Sequence, residues 1–303
     1  MRKFTCPACA GEMFFGNLRC GSCGRELFYS PPVDDFVVDA VGCIHRTSVE
    51  ACNWEAFDER RCLSCDRDVS QEPSALRASF QEAKRRTFRQ LLRAGVVILG
   101  SDPQLWFDMR KGTPEDPVTM GHADGMITID IAEGEPAQRE FVRTAMQEPY
   151  RTPLGHVRHE LGHWYWQTSI GRAFGHDDFR AAFGDERASY SEALERHYAR
   201  EDDGSWKDGF VSHYAASHPW EDFAESFAHY FHISDTLETA DAFLGIETPE
   251  ILEDFGETYV RWTRISSALN ELNRSLGMSD PYPFAPREMA VAKIQFIHDS
   301  LPG

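Results

Sequence analysis

The first 65 residues of this 303-residue chain hold all eight of its cysteines. Six of them stand as C-x2-C pairs: Cys6 with Cys9, Cys20 with Cys23, and Cys62 with Cys65. Such a pair forms a tight knuckle that can present two thiolates to one ion. An even cysteine count also permits disulfides. The N-terminus starts basic but has no apolar run, so no secretion signal is read there, and metal ligation is the better expectation. The compartment is then reducing, most simply the cytoplasm. Cys6, Cys9, Cys20 and Cys23 are expected to form a zinc ribbon. Gly21 and Gly24 ease its second turn, and Phe14, Phe15 and Leu18 offer a minimal core. Cys43, Cys52, Cys62 and Cys65 are the candidates for a second structural zinc, with His45 as a substitute for Cys43 or Cys52. A four-cysteine site is closed: it contributes folding energy and leaves no open position for chemistry.

Charge narrows the partners. The net charge of -18 repels nucleic acid and anionic membranes. Any basic patch has to be local, and the best candidate is Lys84-Arg85-Arg86 with Arg89 and Arg93, expected on the exposed face of a helix. No stretch approaches the roughly 20 apolar residues of a membrane span, so no membrane partner is expected. Leu76, Phe80, Ala83, Phe88, Leu91 and Leu92 recur at helical steps as far as Gly95. Residues 96–99, 105–107 and 126–131 read as strands. A helix over about 137–148 meets Pro149, and Pro153 opens another, where its missing donor is not needed.

That last helix carries His159, Glu160 and His163. Histidines four apart share a helix face and can converge on one zinc. Glu160 follows the first of them, within reach of a metal-held water. This is the HExxH arrangement of zinc hydrolases, in which the metal acidifies the water and the glutamate takes its proton. Two histidines leave the ion short of one protein ligand. An extended motif would need glycine at 166 and histidine at 169; Trp166 and Ser169 stand there, and His176 has the wrong distance. The run from His218 to His229 is the better source. Pro219 suits a first helical turn, and Glu221 and Glu225 stand four apart. Glu221 is expected as the third ligand and Glu225 as the acceptor of a ligand histidine's second N–H, with Asp222 as the rival ligand. Tyr214 is a candidate to stabilise a developing oxyanion, in competition with His213 and His218. By analogy with many zinc peptidases, the strand at 126–131 is expected at a sheet edge beside the HExxH helix.

Longer runs of the chain resemble a bacterial family of zinc-binding metallopeptidases with an N-terminal zinc ribbon. They include Cys6-Pro-Ala-Cys9, Cys52-Asn53-Trp54, Glu148-Pro149-Tyr150-Arg151-Thr152, Gly155 through His163, Phe183-Gly184-Asp185-Glu186, and His218 through Glu225. The active-site half is similar to anthrax-lethal-factor-like peptidases. That similarity implies Glu221 as ligand, Glu225 as its supporting acid and Tyr214 as the assisting tyrosine. The expected fold is α+β: a mostly helical zincin-like core with a small sheet, at 71–303, preceded by a cysteine-rich zinc-ribbon domain at 1–70. Helix is expected within 246–275 and over about 287–299, with Pro281, Pro283 and Pro286 between. The expected activity is zinc-dependent cleavage of peptide bonds in a peptide or protein substrate, with one catalytic and one or two structural zinc ions. A catalytically inactive binding scaffold and a small-molecule amidohydrolase are the competing readings. Substrate identity and oligomeric state are left open by the sequence.

Overall fold

The computed structural model describes residues 1–58, 60–70, 72–113, 115–171, 176–246 and 255–302. It divides into two compact units, Met1–Val157 with Asp241–Ile246, and Arg158–Ala240 with Glu247–Gly303.

The first unit starts with short hairpins. Strands β1 (Phe4–Thr5) and β2 (Glu12–Met13) pair antiparallel, as do β3 (Phe28–Ser30) and β4 (Asp35–Val37). Phe4, Phe15, Tyr29, Phe36 and Trp54 pack into one aromatic cluster, each of them buried. Phe14 and Phe57 are exposed instead. One helical turn, α1 (Leu63–Asp66), leads to the long helix α2 (Ala75–Arg93). Ser74 caps α2 by accepting from the Leu76 N–H, and the helix stops before Gly95, which turns at a φ of 72°. Residues 96–99 form no strand: Val96 and Ile98 are buried, but the segment turns immediately at Gly100.

Three strands follow, β5 (Trp106–Arg110), β6 (Gly121–Ala123) and β7 (Met126–Asp130), in the order β5-β7-β6. β7 is therefore the central strand and not an edge: β5 runs parallel on one side and β6 antiparallel on the other. Phe107, Met109, Ile127 and Ile129 point to its buried face. Helix α3 (Pro136–Ala145) ends before Pro149 is reached, because Gln147 adopts a φ of 56°.

The basic run on α2 faces inward. Lys84, Arg85 and Arg89 are buried, and only Arg86 and Arg93 reach solvent. Asp68 accepts from Lys84, from Gln81 at 2.6 Å and from Arg77 at 3.2 Å. Asp34 takes a fork from Arg89 at 2.7 and 3.1 Å. The expected exposed face is thus replaced by buried ion pairs, since a cation without water needs a carboxylate or an acceptor.

The second unit is helical. Its elements are α4 (Pro153–Tyr165, from Arg158 on), α5 (His176–Phe183), α6 (Tyr190–Tyr198), α7 (Pro219–Leu244, as far as Ala240), α8 (Phe255–Ser275) and α9 (Glu288–Ser300). α4 continues into a π-helical turn at Trp166–Ile170. Phe179, Phe183, Phe223, Phe227 and Phe231 stack through the core, and Ile294 and Ile297 of α9 are buried with them. The architecture is the mostly helical α+β fold with small sheets and a cysteine-rich head that the sequence leads one to expect. The expected helix within 246–275 is α8, and 247–254 lie outside the described residues. Among the described residues no helix is long and apolar enough to cross a membrane.

At the entry to α4, Arg151 forks onto buried Glu133 at 2.6 and 2.7 Å, with His156 3.4 Å away. Burial opposes the charge on Glu133, but His156 and Arg151 bring its carboxyl down from 4.5 to about 2. A depressed carboxyl stabilises above its ordinary value, and that contribution is lost as pH falls through the folded value. Glu133→Gln is expected to cost about 3 kcal/mol at neutral pH, and the gap to the parent should shrink between about pH 4.5 and about pH 2. Urea denaturation of both proteins checks this; a gap as wide near pH 3 as at pH 7 refutes it.

Candidate metal centre

Two clusters of thiols lie in the first unit. The sulfurs of Cys6 and Cys23 stand 3.8 Å apart and those of Cys9 and Cys20 3.6 Å. In the second cluster Cys52 lies 3.6 Å from Cys62 and 3.8 Å from Cys65, with Cys43 completing the group. A disulfide needs about 2.05 Å, while four sulfurs about 2.3 Å from one tetrahedral ion stand about 3.8 Å apart. Both groups thus have metal spacing, and His45 stays outside the second group. The knuckle turns use Ala10 at a φ of 57° and Gly24 at 71°. Cys62 also caps α1, its sulfur accepting from the Cys65 N–H at 3.3 Å. The other three thiols of the group, and the buried Arg85, hold the Cys52 thiol well below its ordinary value. Burial works against the charge on Arg85, and Cys52, then Cys65 and Cys62, favour it.

The third cluster lies wholly in the second unit. Helical spacing puts His159 and His163 on one face of α4, and α7 brings Glu221 to them. The approach depends on Gly162: a Cβ there would stand 3.0 Å from Cα of Ala224 and 3.1 Å from Cβ of Phe227. Nε2 of His159 lies 3.1 Å from Nε2 of His163 and 3.0 Å from Oε2 of Glu221. The remaining side, His163 Nε2 to Glu221 Oε2, is 3.4 Å. Ligands about 2.0–2.1 Å from a tetrahedral zinc stand about 3.3 Å apart. The triangle fits such an ion, and one tetrahedral position is left for a non-protein ligand.

His159 and Glu221 each have a partner outside the triangle. The Nδ1–H of His159 donates to Oε1 of Glu225 at 2.8 Å, which turns Nε2 toward Glu221 and His163. Ser212 donates to the other oxygen of Glu225 at 2.6 Å. Burial opposes ionisation of Glu225, but His159 brings it down to about 2. Burial likewise works against the charges of His159 and Glu221: Glu221 and Glu225 hold the histidine well above its ordinary value, and His163 and His159 hold the glutamate well below. Glu160 is buried, and its Oε2 has no hydrogen-bond partner. Trp220 packs on the His163 ring, centroids 4.5 Å apart.

The rival assignments separate on geometry. Asp222 points away from the triangle and is bound by Lys293 at 2.5 Å; burial still pushes it up to about 7. His218 accepts from the Trp220 N–H and donates to the Ala188 carbonyl, so it serves as the cap of α7. His213 stacks on His197, centroids 4.2 Å apart, and His176 lies 3.6 Å from Glu186. The ring of Tyr214 lies beside His159, centroids 5.9 Å apart. Tyr190 itself escapes the sequence reading. It donates to Oε1 of Glu221 at 2.6 Å, from a helix for which no motif gives a signal.

The uncharacterized protein Mb2598c of Mycobacterium bovis is 39% identical to this chain over 261 residues, spanning 79% of this chain and 75% of its own length. The uncharacterized protein Rv2568c of Mycobacterium tuberculosis matches with the same figures, 39% over 261 residues. No solved structure matches the chain. The sequence profile described as "Putative zinc-binding metallo-peptidase" matches residues 76–300, a stretch that includes the His159, His163 and Glu221 triangle, and the chain belongs to that family.

Proposed function

We propose that the chain is a zinc-dependent hydrolase that cleaves peptide bonds, with His159, His163 and Glu221 as ligands of the catalytic ion. The observation that carries this reading is the triangle of 3.0, 3.1 and 3.4 Å between their donor atoms, beside a buried carboxylate oxygen of Glu160 that no other group engages. A bound zinc supplies a Lewis acid and makes water a nucleophile at neutral pH. Glu160 then acts as the base, free of any competing donor, and returns the proton to the leaving amine. Glu225 fixes the tautomer and tilt of His159. Tyr214, whose ring lies beside His159, is the donor to the developing oxyanion. Glu160 also argues against an inactive scaffold, because a structural ion does not need it.

A cleft of about 450 Å3 is lined by Ala193, His197, Trp206, Phe210, His213 and Ala216. In this reading residues 1–70 act as a zinc-ribbon head and 71–303 carry the hydrolase, in a reducing cytoplasm.

Two measurements test the proposal. Elemental analysis of the purified chain is expected to find one zinc for each of the three clusters, and His163→Ala should lose only one of them. A peptide-library digest is expected to yield products with the parent, and Glu160→Gln should reduce cleavage about 10²–10⁴-fold with zinc content unchanged. Equal cleavage by the variant removes Glu160 as base; no cleavage by the zinc-loaded parent removes the peptidase reading.

A further inference from the structure

The two oxygens of Glu221 have different partners. Oε2 faces the imidazoles, 3.0 Å from His159 and 3.4 Å from His163. Oε1 accepts a hydrogen bond from the hydroxyl of Tyr190 at 2.6 Å. Tyr190 is the first residue of α6. Its ring stands edge-on to His218 at 5.3 Å and to Trp220 at 6.2 Å. The phenol is thus fixed from several sides, with its proton directed at the one Glu221 oxygen that the histidines do not face.

We infer that Tyr190 is a positioning residue of the metal centre: it restrains Glu221 to binding through one oxygen and so keeps the fourth position open. The inference rests on the metal-centre reading above. A free carboxylate can close on an ion with both oxygens. The second oxygen would then crowd the position that substrate or water needs, and the site would approach the closed state of a structural ion. A phenol donating to a carboxylate makes a short, charge-assisted bond, and 2.6 Å falls in that range. Breaking it is the cost of chelation by both oxygens. Glu225 does the corresponding work for His159, so each of these two ligands has its own restraint from a separate element. Nor is Tyr190 a core aromatic: the residue is 39% exposed, while the carboxylate it holds is buried.

Tyr190→Phe removes the hydroxyl and keeps the ring against His218 and Trp220. The full chain, parent and variant, is loaded with cobalt(II) and titrated against a chelator. Ions in the thiol clusters carry sulfur-to-metal charge-transfer bands, whereas an ion held by His159, His163 and Glu221 does not, so it is followed separately. The variant is expected to hold this ion about 10–100-fold more weakly. Its ligand-field bands are also expected to lose intensity, as the second carboxylate oxygen raises the coordination number. Parent-like bands in the variant, whatever its affinity, overturn the inference alone. A parent that takes up no ion outside the thiol clusters overturns the metal-centre reading with it.

Discussion

The centre depends on the close approach of two helices. α4 offers His159 and His163 on one face, and α7 offers Glu221 and Glu225 one turn apart. Four side chains can meet only if the backbones come near enough for a glutamate to span the gap. Gly162 sits at that contact, against Ala224 and Phe227. A small residue at each side of the crossing lets the helices approach, and the phenylalanines along α7 hold them there. The HExxH spacing is half of the device; a glycine within the motif is the other half.

What the sequence discloses follows from periodicity. Residues four apart on a helix are neighbours whatever the fold does, so His159 with His163 and Glu221 with Glu225 can be read in advance. The C-x2-C knuckles are equally local, and the sulfur spacings of both groups agree with them. The choice between Glu221 and Asp222 is not local. Neighbours on a helix point about 100° apart, and it is Lys293 on α9, 71 residues away, that claims Asp222.

The misreadings share that cause. Lys84, Arg85 and Arg89 look like a solvated face because helical cations usually are; their partners Asp34, Glu50 and Asp68 lie far upstream or across a turn. Residues 96–99 have strand composition, but no neighbouring strand receives them among the described residues. Tyr190 belongs to no motif, and 31 residues separate it from the carboxylate it serves. Contacts of this kind are set by tertiary packing, which overrides any windowed pattern.

The buried cations of α2 bear on how the cysteine-rich head can be handled as a module. Asp34 and Asp68 belong to the head, and Arg77, Lys84 and Arg89 belong to the helix that follows it. Cutting the chain at residue 70 would take from those cations the carboxylates that neutralise them. The same holds in reverse for the second thiol cluster, whose charge Arg85 offsets from α2. Head and helix therefore fold as one electrostatic unit: oxidation or chelation that strips the head would be felt in α2, and a graft of the head onto another protein would have to carry α2 with it.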